Sequence, residues 1–277
     1  KFDHNPVNDL PPDFQTLARL GSEGVLGLLC DSTYADRPGY TRSEQEIYSS
    51  FDDIFADAPG RIIVSTFASL ISRIQQIVDV AHSYRRKVAV VGRSMERNVP
   101  MTIDLGYLRV PQGVLVNKDE IGRYPDDEMV IICTGSQGEP TAALTRIAND
   151  DHRQIKLASK DTVVLSSTPV PGNEESVNRT IDRLFKGGAN VIYEKLMPIH
   201  VSGHASQEEI KLLLGLLKPS FVIPVHGEYR HLVQQSRIAA SVGIPADHTL
   251  LAESGDVIDL TSKSLEIVDH IPAGYIF

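Results

Sequence analysis

The chain has 277 residues, 42% of them hydrophobic and 23% charged, with a formal net charge of −9 at pH 7. This is a globular composition, large enough for one big domain or two ordinary ones. The acidic balance argues against a simple nucleic-acid coat, although a local basic groove can work on an acidic body.

The first 20 residues read as irregular, with neither the apolar core nor the cleavage-site pattern of a signal peptide. "GVLGLLCDST" then reads as a buried strand ending at the polar tip Asp31, Ser32, Thr33. After the loop "YADRPGY" comes a helix over "TRSEQEIYSSFDDIFAD". Thr41 and Glu44 fit a capping box there, and Ile47, Phe51, Ile54 and Phe55 form its apolar stripe. From Gly60 onward apolar strands alternate with helices: "RIIVSTF", "KVAVVG", "EMVIICTG", "DTVVLSST" and "NVIYE" are the strands. The segments "ASLISRIQQIVDVAHSY", "RSMERNVPMTIDLGY", "SQGEPTAALTRIAND" and "NEESVNRTIDRLFKGG" are the helices between them. Continuous apolar strands alternating with helices predict an α/β fold, with a parallel sheet covered on both faces. The tail differs: helix "QEEIKLLLGLLKP", buried strand "SFVIPVHGE", helix "YRHLVQQSRIAASVG", then short strands with a Gly turn. We place boundaries near residues 43 and 195, so that the middle block is an insertion between two pieces of another domain.

No apolar run approaches the about 20 residues needed to span a bilayer, so no membrane partner is expected. Cys30 and Cys133 each lie inside an apolar run and read as buried reduced thiols, which fits a cytoplasmic protein. Arg61, Arg73, Arg85, Arg86, Lys87, Arg93 and Arg97 are denser than the chain average, and fit either a basic groove or a solvated surface.

Three strand ends, in "IVSTFASLISR", "IICTGSQGEPT" and "VLSSTPVPGNE", carry small polar residues just before a helix. Such turns expose backbone N–H groups at a helix N-terminus and suit a phosphate, although Ser and Gly are also ordinary caps. Neither GxGxxG after a strand nor GxxxxGK[ST] occurs, which disfavours dinucleotide and P-loop readings. "HVSGHAS" (200–206) and "IPVHGEYRH" (223–231) hold four of the nine histidines. His226, at a strand end before Gly227, suits a metal ligand or a catalytic base, against the alternative of a satisfied structural histidine. His204, in a Ser/Gly loop before a helix, can meet a phosphate or give it a proton, or be a hydrogen-bonded loop residue. His231 reads as an ordinary helix-face residue. Asp31 joins the group as a carboxylate on a strand tip, the alternative being a turn residue. Together these residues suggest metal-assisted phosphodiester chemistry.

The whole pattern resembles the ribonuclease J family, of the metallo-β-lactamase superfamily with a β-CASP insertion. "DHNPV", "LLCDSTYADRPGYTRSE", "ICTGSQGEP", "SSTPVPGNE", "HVSGHAS" and "PVHGEYRHL" occur in the family's order. The resemblance implies a β-CASP domain over 44–195, set between lactamase pieces 1–43 and 196–277 of an αββα domain. It implies catalytic roles for Asp31 and His204, and a metal-ligand role for His226. It implies a substrate-phosphate loop of His200, Val201, Ser202, Gly203 and His204, and an RNA 5′-end pocket using Ser69, Ser136, Gln137 and Gly138. The implied enzyme uses two zinc ions, with manganese or magnesium as substitutes. It hydrolyses RNA both as a 5′-to-3′ exonuclease preferring a 5′-monophosphate and as an endonuclease, in RNA maturation and decay. Implied partners are RNA, a second copy of the protein and other RNA-decay proteins.

One departure stands out: the superfamily's HxHxDH metal motif does not occur in this sequence. We therefore expect an internal segment of a longer enzyme, inactive alone, with the rest of the metal site upstream and exposed apolar surface where the upstream strands belong. The alternatives are a non-catalytic RNA-binding or assembly module, or a β-CASP nuclease acting on DNA.

Overall fold

The computed structural model describes residues 1–7, 10–170, 172–272 and 274. Its described residues divide into two compact units: one of Lys1–His4, Leu10–Arg42 and those from Ser202 onward, the other centred on Ser43–Val201.

The first unit begins with helix α1 (Phe14–Glu23) and strand β1 (Gly27–Asp31). The helix falls where the sequence read as irregular. Its N-terminus is fixed by Asp13, whose carboxylate accepts from the Thr16 amide at 2.9 Å.

The second unit follows in chain order as α2 (Glu46–Asp57), β2 (Ile62–Ser65), α3 (Ile71–Ser83), β3 (Lys87–Val91) and α4 (Arg93–Asp104). It continues with β4 (Leu115–Val116), β5 (Met129–Cys133), α5 (Ala143–Ala148), β6 (Thr162–Leu165), α6 (Glu174–Lys186) and β7 (Asn190–Tyr193). The six strands form one parallel sheet in the order β4-β3-β5-β2-β6-β7. Alternate residues go to opposite faces because a strand has a period of two. Ile62, Val64, Val130, Ile132 and Val164 join residues of α2, α3 and α4 in one core. Ile63, Ile131, Cys133, Val163 and Leu165 join residues of α5 and α6 in the other. The parallel sheet covered on both faces is the architecture that the apolar strands predict.

Two helices are shorter than the sequence suggests. α2 starts at Glu46, and no Thr41–Glu44 capping box forms. Thr41 instead donates its hydroxyl to the His204 carbonyl at 2.7 Å, and Glu44 is held by the Arg73 guanidinium at 2.6 Å. In "SQGEPTAALTRIAND" only Ala143–Ala148 is helical. Pro140 breaks the ladder, and the glycines at 135 and 138 hold left-handed backbone, φ 109° and 72°.

The chain returns to the first unit through α7 (Gln207–Leu217), β8 (Phe221–Val225), α8 (Tyr229–Ser241), β9 (Asp256–Leu260) and β10 (Leu265–His270). β8 pairs with β1 in parallel, and β9 with β10 as an antiparallel hairpin. α1 lies against α7, at Gly21: a Cβ there would fall 2.0 Å from the Leu216 carbonyl oxygen. Among the described residues no helix is long and apolar enough to cross a membrane. Cys30 and Cys133 are buried free thiols, pushed up by burial to about 11 and about 12.

The cluster of basic residues is not one groove. Arg61 forks onto Asp161 at 2.7 and 2.9 Å, buried Arg73 meets Glu44, and buried Arg86 donates to the carbonyls of Ala58 and Gly60. Arg85, Arg86 and Lys87 stand at the amino end of β3, whereas Arg93 and Arg97 follow its carboxyl end. Sequence proximity across a five-residue strand puts them at opposite edges of the sheet.

Candidate active site

β1 and β8 run parallel with Asp31 opposite Val225, so both chains leave the sheet at the same edge. Asp31 ends β1, and His226 follows β8 directly. Ser32, fully buried, ties the two tips together. Its hydroxyl reaches the carbonyls of Val225 and His226 at 2.9 Å each, and its amide donates to Val225 at 2.9 Å. His226 is held in the left-handed region at φ 56°, costly for a residue with a Cβ. Gly227 follows at φ 137°, and a Cβ there would lie 3.1 Å from His231 Nδ1 and 3.2 Å from Ser32 Oγ. The strain turns the His226 ring out of the sheet edge, where it is exposed.

His204 arrives from the loop before α7. Its amide donates to Ser202 Oγ at 3.1 Å, and its carbonyl accepts from Thr41. Its Nδ1 lies 2.5 Å from Asp31 Oδ2. Burial pulls the Asp31 carboxyl up, but hydrogen bonds from His204 and from the amide and hydroxyl of Thr33 outweigh it, and it sits below its ordinary value. Asp31 is thus an acceptor, Nδ1 of His204 is the donor, and Nε2 is left facing away from the pair. The His204 and His226 rings stack with centroids 5.2 Å apart, and Tyr34 leans on His204 at 5.7 Å. One ligand atom each from Asp31, His204 and His226 lie within 4.8 Å of one another. Imidazole nitrogen and carboxylate oxygen are donors that suit zinc, and three protein ligands leave a fourth position open. Sequence reasoning assigned only His226 as a ligand; the fold brings it two further donors.

Two residues the sequence reading passed over hold this cluster. Ser32 is one. The other is Glu209, on α7, which is 1% exposed and accepts from the amides of Phe2, Thr41 and Ser206 at 2.7, 2.8 and 2.8 Å. The S-x-x-E spacing of Ser206 and Glu209, a capping box in the structure, is the signal that finds it. Burial alone would raise its carboxyl, but these N–H donors hold it below the usual range. A depressed carboxyl stabilises the fold above its unfolded value of about 4.3, and that contribution is lost as pH falls through the folded value. Glu209→Gln is expected to lower stability by about 2 kcal/mol at pH 7. Urea unfolding at pH 7 and at pH 3.5 should show the difference shrinking in acid; a difference of constant size would contradict this account.

The remaining candidates lie in the other unit or at its border. His200 and Val201 belong to the second unit, with Val201 in the sheet's core, while Ser202 and Gly203 precede His204 in the first. Ser69 is exposed on the loop between β2 and α3. Ser136 and Gln137 are buried. The Gln137 amide donates to the Thr168 carbonyl at 3.0 Å and accepts from the Val170 amide at 2.7 Å, so it braces the neighbouring strand-end loop. At Gly138 a Cβ would fall 2.6 Å from the Ser176 backbone, so the loop packs directly on α6. His231 is buried, and its Nδ1 accepts from the Glu228 amide at the start of α8.

Comparison with known proteins extends these observations. Residues 59–184 match the ribonuclease J β-CASP domain, and residues 191–248 the Zn-dependent metallo-hydrolase RNA specificity domain. The latter family implies a metal cofactor, and Asp31, His204 and His226 are the group of described residues able to offer one a site. Ribonuclease J of Synechocystis sp. is 47% identical over 274 residues, which is 99% of this chain and 43% of the relative. Ribonuclease J 1 of Streptococcus pyogenes is 47% identical over 277 residues, 100% of this chain and 49% of the relative. Ribonuclease J2 of Bacillus subtilis is 42% identical over 276 residues, 100% of this chain and 50% of the relative. The chain thus spans half or less of the length of these relatives. Two domain matches in sequence, with identity of this order along the whole chain, show that it belongs to the ribonuclease J family.

Proposed function

We propose that this chain is the β-CASP domain, about 44–195, and the adjoining metallo-β-lactamase pieces, 1–43 and 196–277, of a metal-dependent ribonuclease. The intact enzyme cleaves RNA from a 5′-monophosphate end and also internally, in the cytoplasm, as an oligomer and alongside other RNA-decay proteins. The observation that carries the reading is the cluster of Asp31, His204 and His226 at the shared edge of β1 and β8.

His226 would hold the metal, beside the Asp31–His204 pair. When bound, the metal supplies positive charge to the phosphoryl oxygens during phosphodiester hydrolysis. Asp31 orients His204 through the 2.5 Å contact, and when the ring is doubly protonated its Nε2–H gives a proton to the oxygen that leaves the scissile phosphate. The loop Ser202–Gly203 presents backbone to the same phosphate, and His200 and Val201 position that loop. Ser69, Ser136 and Gly138 serve the RNA 5′ end, with Gln137 as the brace behind them.

Three donors make at most one zinc site with an open position, so a two-zinc centre needs ligands beyond this cluster. The chain by itself is therefore expected to carry less than about one tightly bound zinc and to lack turnover. Elemental analysis of the purified chain, paired with an assay on 5′-monophosphorylated RNA with added zinc or manganese, tests this. Two zincs per chain, with robust cleavage abolished by His226→Ala, would overturn it.

A further inference from the structure

The second unit holds a cavity of about 580 Å³ that touches none of the residues assigned above. It opens at the carboxyl ends of β3 and β5, and Gly92, Arg93 and Ser94, at the start of α4, form one wall. α4 has 12 residues and no side chain caps its first amides, which belong with the helix dipole to residues that line the cavity. Gly92, at φ 111°, lets this turn approach β5: a Cβ there would lie 2.4 Å from Thr134 Oγ1.

The walls are cationic, although the chain is acidic. Arg93, Lys118, Arg146 and Arg153 line the cavity against only Glu96 and Glu139. Glu96 is already engaged by Lys118 at 2.7 Å and by the Gly92 amide at 3.2 Å. Arg93 and Arg153 are exposed and form no ion pair among the described residues. A second observation is independent of the helix. His152 is 8% exposed and lines the cavity. Its Nδ1 accepts from the amides of Gln154 and Ile155 at 3.3 and 3.2 Å. The proton is therefore on Nε2, which no described residue accepts. Burial, and then the nearby Arg146 and Lys118, hold this imidazole below its ordinary value, so it is a neutral donor. An N–H on a buried side chain that no described residue accepts, uncapped helix amides and two guanidinium groups without ion pairs among the described residues converge on one volume. All are donors, which is the complement of an oxyanion.

We propose that this cavity binds a small phosphorylated ligand, its phosphate at the α4 N-terminus between Arg93, Arg153 and His152. The volume suits a small molecule rather than a strand track, since ligand pockets run from about 300 to 1,000 Å³. The cavity bears no residue of the proposed metal cluster, so the inference stands or falls apart from the nuclease reading.

Calorimetric titration of the protein with inorganic pyrophosphate, and separately with adenosine 5′-monophosphate, tests it. Arg93→Ala/Arg153→Ala is expected to weaken binding about tenfold or more, and Arg179→Ala, an exposed arginine of α6 paired with Glu175, to leave it unchanged. Both arginines of the double variant lack ion pairs, so its thermal midpoint should match the parent's. No binding to the parent at millimolar ligand, or equal weakening by Arg179→Ala, would overturn the proposal. So would binding at Arg93 and Arg153 of an oligoribonucleotide lacking terminal phosphate, with neither small ligand competing, since that marks an RNA track.

Discussion

In the intact protein, His204→Ala and His226→Ala are expected to abolish RNA cleavage in two different ways. His204→Ala should lower the rate constant for cleavage by about 10³-fold, the range for loss of a positioned acid or base, with bound metal unchanged. His226→Ala should lower metal content itself, and excess zinc should restore part of the lost activity. The distinction follows from the hydrogen bonds. His204 Nδ1 is taken by Asp31 at 2.5 Å, whereas the exposed His226 ring is held out by its left-handed backbone. Asp31→Asn should resemble His204→Ala, because a neutral amide no longer pairs with the doubly protonated ring that donates from Nε2. Stopped-time assays on 5′-monophosphorylated RNA, with elemental analysis of each variant, separate the two modes. Equal metal loss from all three variants would show that all three residues are ligands and remove the proton role from His204.

Much of this site was legible because its chemistry sits at strand tips. "LLCD" and "FVIPVH" each end an apolar run in one polar residue, and β-strand periodicity says where such runs stop. Sequence could not show that those two tips are neighbours: pairing of β1 with β8 sets Asp31 opposite Val225, next to His226, while His204 reaches Asp31 from the loop before α7 across a separation of 173 residues. Nor could it show which polar residues spend their hydrogen bonds inward. Gln137 sits in a turn rich in small polar residues, yet its amide braces Thr168 and Val170. Ser32 looks like one more hydroxyl after Asp31, and only the fold reveals it as the clamp between two strand ends. The parallel sheet was readable from continuous apolar strands, whereas α1 was passed over although its N-cap Asp13 stands in the sequence.

Arg73 carries the largest expected effect on stability. It is fully buried on α3, and its guanidinium meets Glu44 and the Ile199 carbonyl at 2.6 Å each, Gln76 at 2.8 Å, and the Ser166 hydroxyl. Burial pulls its pKa down from the ordinary arginine range, and Glu44 offsets part of that pull. Arg73→Ala removes the cation from a buried carboxylate and from a backbone carbonyl at once. The expected loss is about 3–5 kcal/mol, the range for breaking one side of a buried ion pair. Replacing both partners, as Arg73→Met/Glu44→Leu, should recover a large part of that loss, because an apolar pair of similar volume carries no desolvation penalty. Guanidinium-induced unfolding followed by circular dichroism gives both numbers. A loss below about 1 kcal/mol for Arg73→Ala would mean that water replaces the guanidinium. A double variant no better than the single would assign the cost to the Ile199 and Ser166 contacts rather than to the charge pair. Those contacts join the end of β6 to the segment just before His200, so the same substitution tests how firmly the unit fixes the start of the histidine loop.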